Sequence, residues 1–118
     1  MKDNETLVAI IYDFDKTLCD KDMQEYSFIP NLGMDSNDFW EATNLFTSKE
    51  KMDKILGCMY MMLNESKKNN KAITKEYLNS LGKDINFFPG ILEWFERINN
   101  YGNELGLKVE HYIISSGL

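Results

Sequence analysis

Apolar residues fall along this chain in two rhythms. Leu7-Val8-Ala9-Ile10-Ile11-Tyr12 is an unbroken run, and a second run, rich in Val, Ile and Tyr, extends from Val109 to Ile114. An unbroken run of this length and composition predicts a strand buried on both faces; strands are expected over 7–13 and 109–114. The stretch between them reads as helix. Tyr26, Phe28 and Ile29 followed by Pro30-Asn31-Leu32-Gly33 predict a short helix and a turn. Asp35-Ser36-Asn37 offers caps for a helix through Phe39, Trp40, Ala42, Leu45 and Phe46. From about Lys49, residues Met52, Ile55, Leu56, Met59, Met62 and Leu63 share helical spacing and predict one apolar face. That face is read as core rather than as an adaptable methionine-rich contact surface. Thr74 suits the cap of a short helix, with Ile73 and Leu78 as a hydrophobic staple and Gly82 as its stop. A last helix is predicted from Pro89 or Gly90, with Ile91, Leu92, Phe95 and Ile98 inward and Gly102 and Gly106 bracketing its end.

The first strand leads into Asp13-Phe14-Asp15-Lys16-Thr17-Leu18. In parallel α/β sheets, ligands bind at the carboxyl ends of strands. Residues two apart in an extended chain point to the same side, about 6.5–7 Å from one another, so Asp13 and Asp15 are expected to face one pocket. Two carboxylates that close repel, and a divalent cation relieves the conflict. Mg²⁺ takes one or two carboxylates and fills its shell with phosphate oxygens and water. One carboxylate can then act as nucleophile and the other as general acid/base. The plainer reading is an acidic turn after a strand. Asp20 and Asp22 either widen this acidic mouth or start a helix, where carboxylates complement the dipole. The second strand closes on Ser115-Ser116-Gly117. A serine hydroxyl and backbone N–H groups can bind a phosphoryl oxygen, and Gly117 permits close backbone approach. On its own this is an ordinary turn.

Asp13-x-Asp15-x-Thr17 after a hydrophobic strand resembles the first motif of the haloacid dehalogenase-like (HAD) hydrolase superfamily. The strand ending in Ser115 resembles its second motif. Pro89-Gly90 before an amphipathic helix is similar to the segment that re-enters the core in the phosphoserine-phosphatase-like branch. The resemblance implies an α/β fold: a partial Rossmann-like core of two parallel strands over 1–18 and 89–118, with a mainly helical cap over 19–88. A helical crossover needs only a few tens of residues, so 19–88 is expected as an inserted module; the alternative is that its helices pack on the sheet as core. The resemblance further implies that Asp13 forms an aspartyl-phosphate and that Asp15 is the acid/base. Mg²⁺ would be held by the Asp13 side chain and the Asp15 carbonyl. Thr17 would support the loop and, with Ser115, Ser116 and Gly117, contact the phosphate of a small phosphorylated metabolite. The family's third-motif lysine and fourth-motif acidic pair have no match here, Lys108 preceding the second strand. The expectation is the N-terminal part of a longer enzyme, inactive alone.

Composition narrows this further. At 118 residues the chain is one domain's worth, and 43% apolar content is enough for a core. A net charge of −6 argues against non-specific nucleic-acid binding, which relies on Lys and Arg. It leaves a phosphorylated small molecule open, because a metal can supply local positive charge. Cys19 and Cys58 have no metal-type spacing, and a reducing cytoplasm is expected. The polar N-terminus predicts neither a signal peptide nor a membrane span. Two strands leave open edges, through which self-association is expected. The competing function is a non-catalytic helical interaction module using the methionine-rich face of 52–63. An acidic Ca²⁺-binding protein is disfavoured, since no Asp-rich loop with a closing Glu is present.

Overall fold

The structure, a computed structural model, describes residues 5–117. Among them are two parallel strands and six helices, a mixed α/β arrangement. In chain order these are β1 (Thr6–Tyr12), α1 (Met23–Tyr26), α2 (Phe28–Asn31), α3 (Ser36–Glu50), α4 (Lys54–Lys68), α5 (Lys75–Leu81), a 3-10 turn (Gly82–Asp84), α6 (Ile91–Glu104) and β2 (Leu107–Ile113). The chain divides into two compact units. One runs up to Lys21 and resumes at Asn86; the other is Asp22–Ile85. Among the described residues no helix is long and apolar enough to cross a membrane.

In the sheet unit β1 lies parallel to β2, with Val8 opposite Val109, Ile10 opposite His111 and Tyr12 opposite Ile113. Burial alternates along β1. Val8, Ile10 and Tyr12 are half-buried, while Leu7 and Ile11 are 54% and 62% exposed. The expected burial on both faces is therefore corrected. Helix α6 packs against β2 within this unit. Helix α6 turns Ile91, Phe95, Ile98 and Gly102 inward, whereas Leu92, expected inward, is 77% exposed. The inward four already form a stripe at helical spacing, and Leu92 falls outside it. The helix ends at Glu104, between Gly102 and Gly106 as expected. A Cβ at Gly102 would stand 2.5 Å from Val109 Cγ2, so the missing side chain is what lets α6 approach β2.

The helical unit is built on caps. Asp35 Oδ2 accepts from Asn37 N at 3.0 Å, Asp53 Oδ2 from Ile55 N at 2.9 Å, and Thr74 Oγ1 from Tyr77 N at 3.1 Å. Each satisfies an N–H that a helix start leaves without a partner. Gly82 does not act as a left-handed stop: its φ is −62° and the chain goes on into the 3-10 turn. The core is Phe28, Ile29, Leu32, Phe39, Cys58, Met61 and Met62, with Ile73 and Tyr77 among the partly buried residues packed on it. Leu78, the expected staple partner of Ile73, is 45% exposed.

The apolar face expected for α4 is corrected as well. Its buried residues are Gly57, Cys58, Met61, Met62 and Ser66. Of the expected stripe, Ile55, Leu56, Met59 and Leu63 are 39–58% exposed. From Ile55 to Leu63 the helix carries no charge and is apolar nearly all round, so periodicity offered two candidate faces. Close approach decides between them: a Cβ at Gly57 would collide with Thr47 Cγ2 on α3.

Residues 19–21 and 86–88, expected in the helical module, lie in the sheet unit. Cys19 and Phe87 form an antiparallel bridge. Asp20 N donates to Asn86 O and Phe88 N to Leu18 O, both at 3.1 Å. These bonds clamp the loop after β1 to the segment that leads into α6.

Candidate functional site

Both strands end on the same side of the sheet, because they run parallel and Tyr12 pairs with Ile113. One further bond, Ile114 N to Tyr12 O at 2.9 Å, carries the pairing to the last residue before Ser115. Asp13 is the first residue beyond β1, and it is exposed.

From there the chain turns. Phe14 O accepts from Thr17 N at 3.1 Å and from Leu18 N at 3.0 Å, and Lys16 adopts a left-handed φ of 61°. Asp13 and Asp15 flank Phe14, at the point where the strand gives way to this turn. Within it Thr17 Oγ1 donates to Asp13 Oδ2 at 3.4 Å, the long end of the hydrogen-bond range. The far side of the turn is anchored. Leu18 and Cys19 are 3% and 0% exposed, Cys19 Sγ donates to Lys21 O at 3.2 Å, and the Phe14 ring meets the Phe87 ring edge-on with centroids 6.4 Å apart.

Asp20 and Asp22 serve structure. Asp20 Oδ2 accepts from Asn86 Nδ2 at 2.7 Å, and Asp22 N donates to Glu25 Oε2 at 3.0 Å where α1 begins. Asn86 and Phe87 were not singled out from the sequence. A clamp of one residue pair has no period, and Phe87-Phe88-Pro89-Gly90 reads only as a boundary.

The second segment reaches the same loop. Ser115 Oγ accepts from Gly117 N at 3.0 Å, closing a serine turn. That bond occupies the Gly117 N–H, one of the donors expected for a phosphate, while Ser115 keeps its hydroxyl proton. A Cβ built on Gly117 would lie 2.5 Å from Asp15 Oδ2 and 3.2 Å from Ser115 Oγ. The Asp15 carboxylate thus sits against the glycine, in space that any other residue would fill. Asp13 with Thr17, and Asp15 with Ser115 and Gly117, are brought together at this end of the sheet. Ser116 is exposed on the same turn.

The donors here are hard oxygens, the kind Mg²⁺ accepts. Among the described residues no group of three or more His, Cys, Asp and Glu stands close enough to hold a metal ion. A cation at this loop would rest on Asp13 and Asp15 and complete its shell with water and phosphate oxygens, a division of ligands normal for Mg²⁺ and unlike an all-protein Ca²⁺ cage.

No family model matches the chain, and no solved structure matches it. An uncharacterized protein of Borreliella burgdorferi is 28% identical over 127 aligned positions, which take in 99% of this chain and 44% of that protein. The chain therefore spans less than half the length of this curated relative.

Proposed function

We propose that the chain carries the nucleophile and the acid/base of a Mg²⁺-dependent phosphohydrolase of the HAD type, acting on a small phosphorylated metabolite. The observation that supports this most is the placement of the Asp15 carboxylate against Gly117, which joins two motif-like segments at the carboxyl ends of parallel strands. In this reading an Asp13 oxygen attacks phosphorus, the bond from phosphorus to the leaving oxygen breaks, and Asp15 passes its proton to that oxygen. Asp15 then takes a proton from water, whose oxygen attacks phosphorus and returns Asp13 as phosphate departs. Bound Mg²⁺ would supply the positive charge that lets two carboxylates meet a phosphate. The sheet unit is then a partial HAD-type core, and the helical unit takes the part of the substrate-selecting cap. Two free, buried cysteines suit a reducing, cytoplasmic setting.

The lysine and the acidic pair of the further motifs have no match in these residues. The chain by itself is therefore expected to bind Mg²⁺ and a phosphate mimic without sustained turnover. The test is titration of Mg²⁺ and beryllium fluoride into the ¹⁵N-labelled chain, beside Mg²⁺-dependent hydrolysis of an aryl phosphate. Amide shifts confined to 13–17 and 115–117, lost in Asp13→Asn and weakened in Gly117→Ala, are expected. Wild-type shifts elsewhere, or shifts that survive Asp13→Asn, would sink the reading.

A non-catalytic interaction module is the second reading, favoured by the outer face of α4. Ile55, Leu56, Met59, Tyr60 and Leu63 are all exposed there, and contiguous apolar surface often marks an interface. Asp13→Asn would leave such binding untouched.

A further inference from the structure

Polar side chains from three elements meet on the α6 side of the sheet, around Tyr12, the residue before Asp13. Trp94 Nε1 donates to Tyr12 Oη at 2.8 Å. Tyr12 Oη lies 2.8 Å from His111 Nδ1, and His111 Nε2 lies 2.7 Å from Asn99 Oδ1. The Tyr12 and His111 rings stack with centroids 5.7 Å apart, and Phe95 stands edge-on to both.

The directions of these bonds follow from donor chemistry. An indole N–H can only donate, so the Tyr12 oxygen accepts from Trp94. Asn99 Oδ1 can only accept, so a neutral His111 carries its proton on Nε2. Its Nδ1 is then bare and accepts the tyrosine proton. One tautomer satisfies every group, and the chain of bonds has one direction from Trp94 to Asn99.

The placement of this chain sets it apart. The other inward residues of the unit, Val8, Ile10, Val109, Ile91, Phe95 and Ile98, are apolar. Apolar contact is non-directional and would hold a helix on a sheet without fixing the last strand residue. Hydrogen bonds fix direction as well as distance. They act on Tyr12, the residue before Asp13, whose carbonyl also holds the Ile114 amide before Ser115.

We propose that Trp94, Tyr12, His111 and Asn99 are positioning residues for the acidic loop. They lock the end of β1 to β2 and α6, so that the segments bearing Asp13 and Ser115 leave the sheet in one geometry. What the loop is positioned for rests on the phosphohydrolase reading; the locking itself does not.

NMR of the 118-residue chain tests this. It has one histidine, so the imidazole ¹⁵N signals are unambiguous. A protonated Nε2 and a bare Nδ1 are expected, giving way to tautomer exchange in Tyr12→Phe. Amide exchange at Ile114, Thr17 and Leu18 should quicken about tenfold in Tyr12→Phe, the factor for one net hydrogen bond. Trp94→Phe, which spares the bond to His111, should quicken it less. Amides at the Thr6–Val8 end of the ladder should not change. The proposal is overturned if the three loop amides keep their rates, or if all amides of the unit quicken alike, as a purely structural loss would make them. Mg²⁺ titration of the same samples separates the two readings. A wild-type chain that binds no Mg²⁺ refutes the phosphohydrolase and leaves the exchange rates to decide the positioning.

Discussion

The helical unit and the sheet unit spend their apolar residues differently. Residues 22–85 gather seven buried hydrophobic residues into one cluster. In the sheet unit the buried hydrophobic residues, Leu18 and Cys19, sit in the loop, and the strands are half-covered. Leu7, Ile11, Tyr112 and Ile114 remain 48–65% exposed. Two strands and one helix bury few apolar residues, yet this unit holds the motif-like residues. Directional bonds, namely the clamp at 86–88, the turn on Phe14 O and the chain through Tyr12, do there what packing does in the other unit. The contrast separates two ways of placing a side chain: a packed core tolerates imprecise direction, and a loop of carboxylates does not.

The largest expected effect breaks the packed side. Phe39 is fully buried at the centre of the helical cluster. Phe39→Ala should cost about 3–5 kcal/mol. The two tryptophans allow each unit to be read alone, since Trp40 lies in the helical unit and Trp94 in the sheet unit. In a Trp94→Phe background the Trp40 fluorescence transition in urea should move to much lower urea in Phe39→Ala. In a Trp40→Phe background the Trp94 transition should stay in place. If both move together, the two units form one cooperative structure and the contrast fails.

A smaller effect probes the sheet side. Gly102→Ala sets a methyl 2.5 Å from Val109 Cγ2, so α6 must lift from β2. Overpacking of this kind costs about 1–3 kcal/mol, against which alanine returns roughly 1 kcal/mol of helix propensity. The Trp94 transition should fall and the Trp40 transition should hold. A Gly102→Ala chain as stable as wild type would show that α6 is loosely seated.

Legibility from sequence follows the same divide. The strands, the Asp35 and Thr74 caps and the convergence of both strand ends depend on short-range patterns and on parallel topology, and they could be read. What could not be read depends on contacts far apart in sequence. The inward face of α4 was set by Gly57 meeting Thr47, a crossing invisible to a helix that is apolar all round. Asp53 was missed as a cap because Met52 before it fitted the apolar period. Burial of β1 on one face depends on how many layers cover the sheet, which no local pattern encodes. At the loop, the chain turns after Phe14 and Lys16 takes a left-handed φ, and nothing about a lysine announces that. His111 and Trp94 went unremarked, since a network drawn from three elements has no spacing of its own.

The smallest effect uses a titration inside the packed unit. Burial pushes the Cys58 thiol up from 9.0 to about 11, and the negative charge of Asp22 adds to the rise. The folded state therefore holds this proton more tightly than the unfolded chain. Stability from the group is complete below pH 9 and is lost as pH climbs from 9 towards 11, because the unfolded thiol ionises first. The urea midpoint of the Trp40 transition should fall over that window more steeply in wild type than in Cys58→Ala, although the variant starts lower at pH 8. Asp22→Asn removes the second cause and should shift the upper edge of the window down. If wild type and Cys58→Ala decline in parallel, other groups carry the alkaline loss, and the thiol is wetter than its place in the core implies.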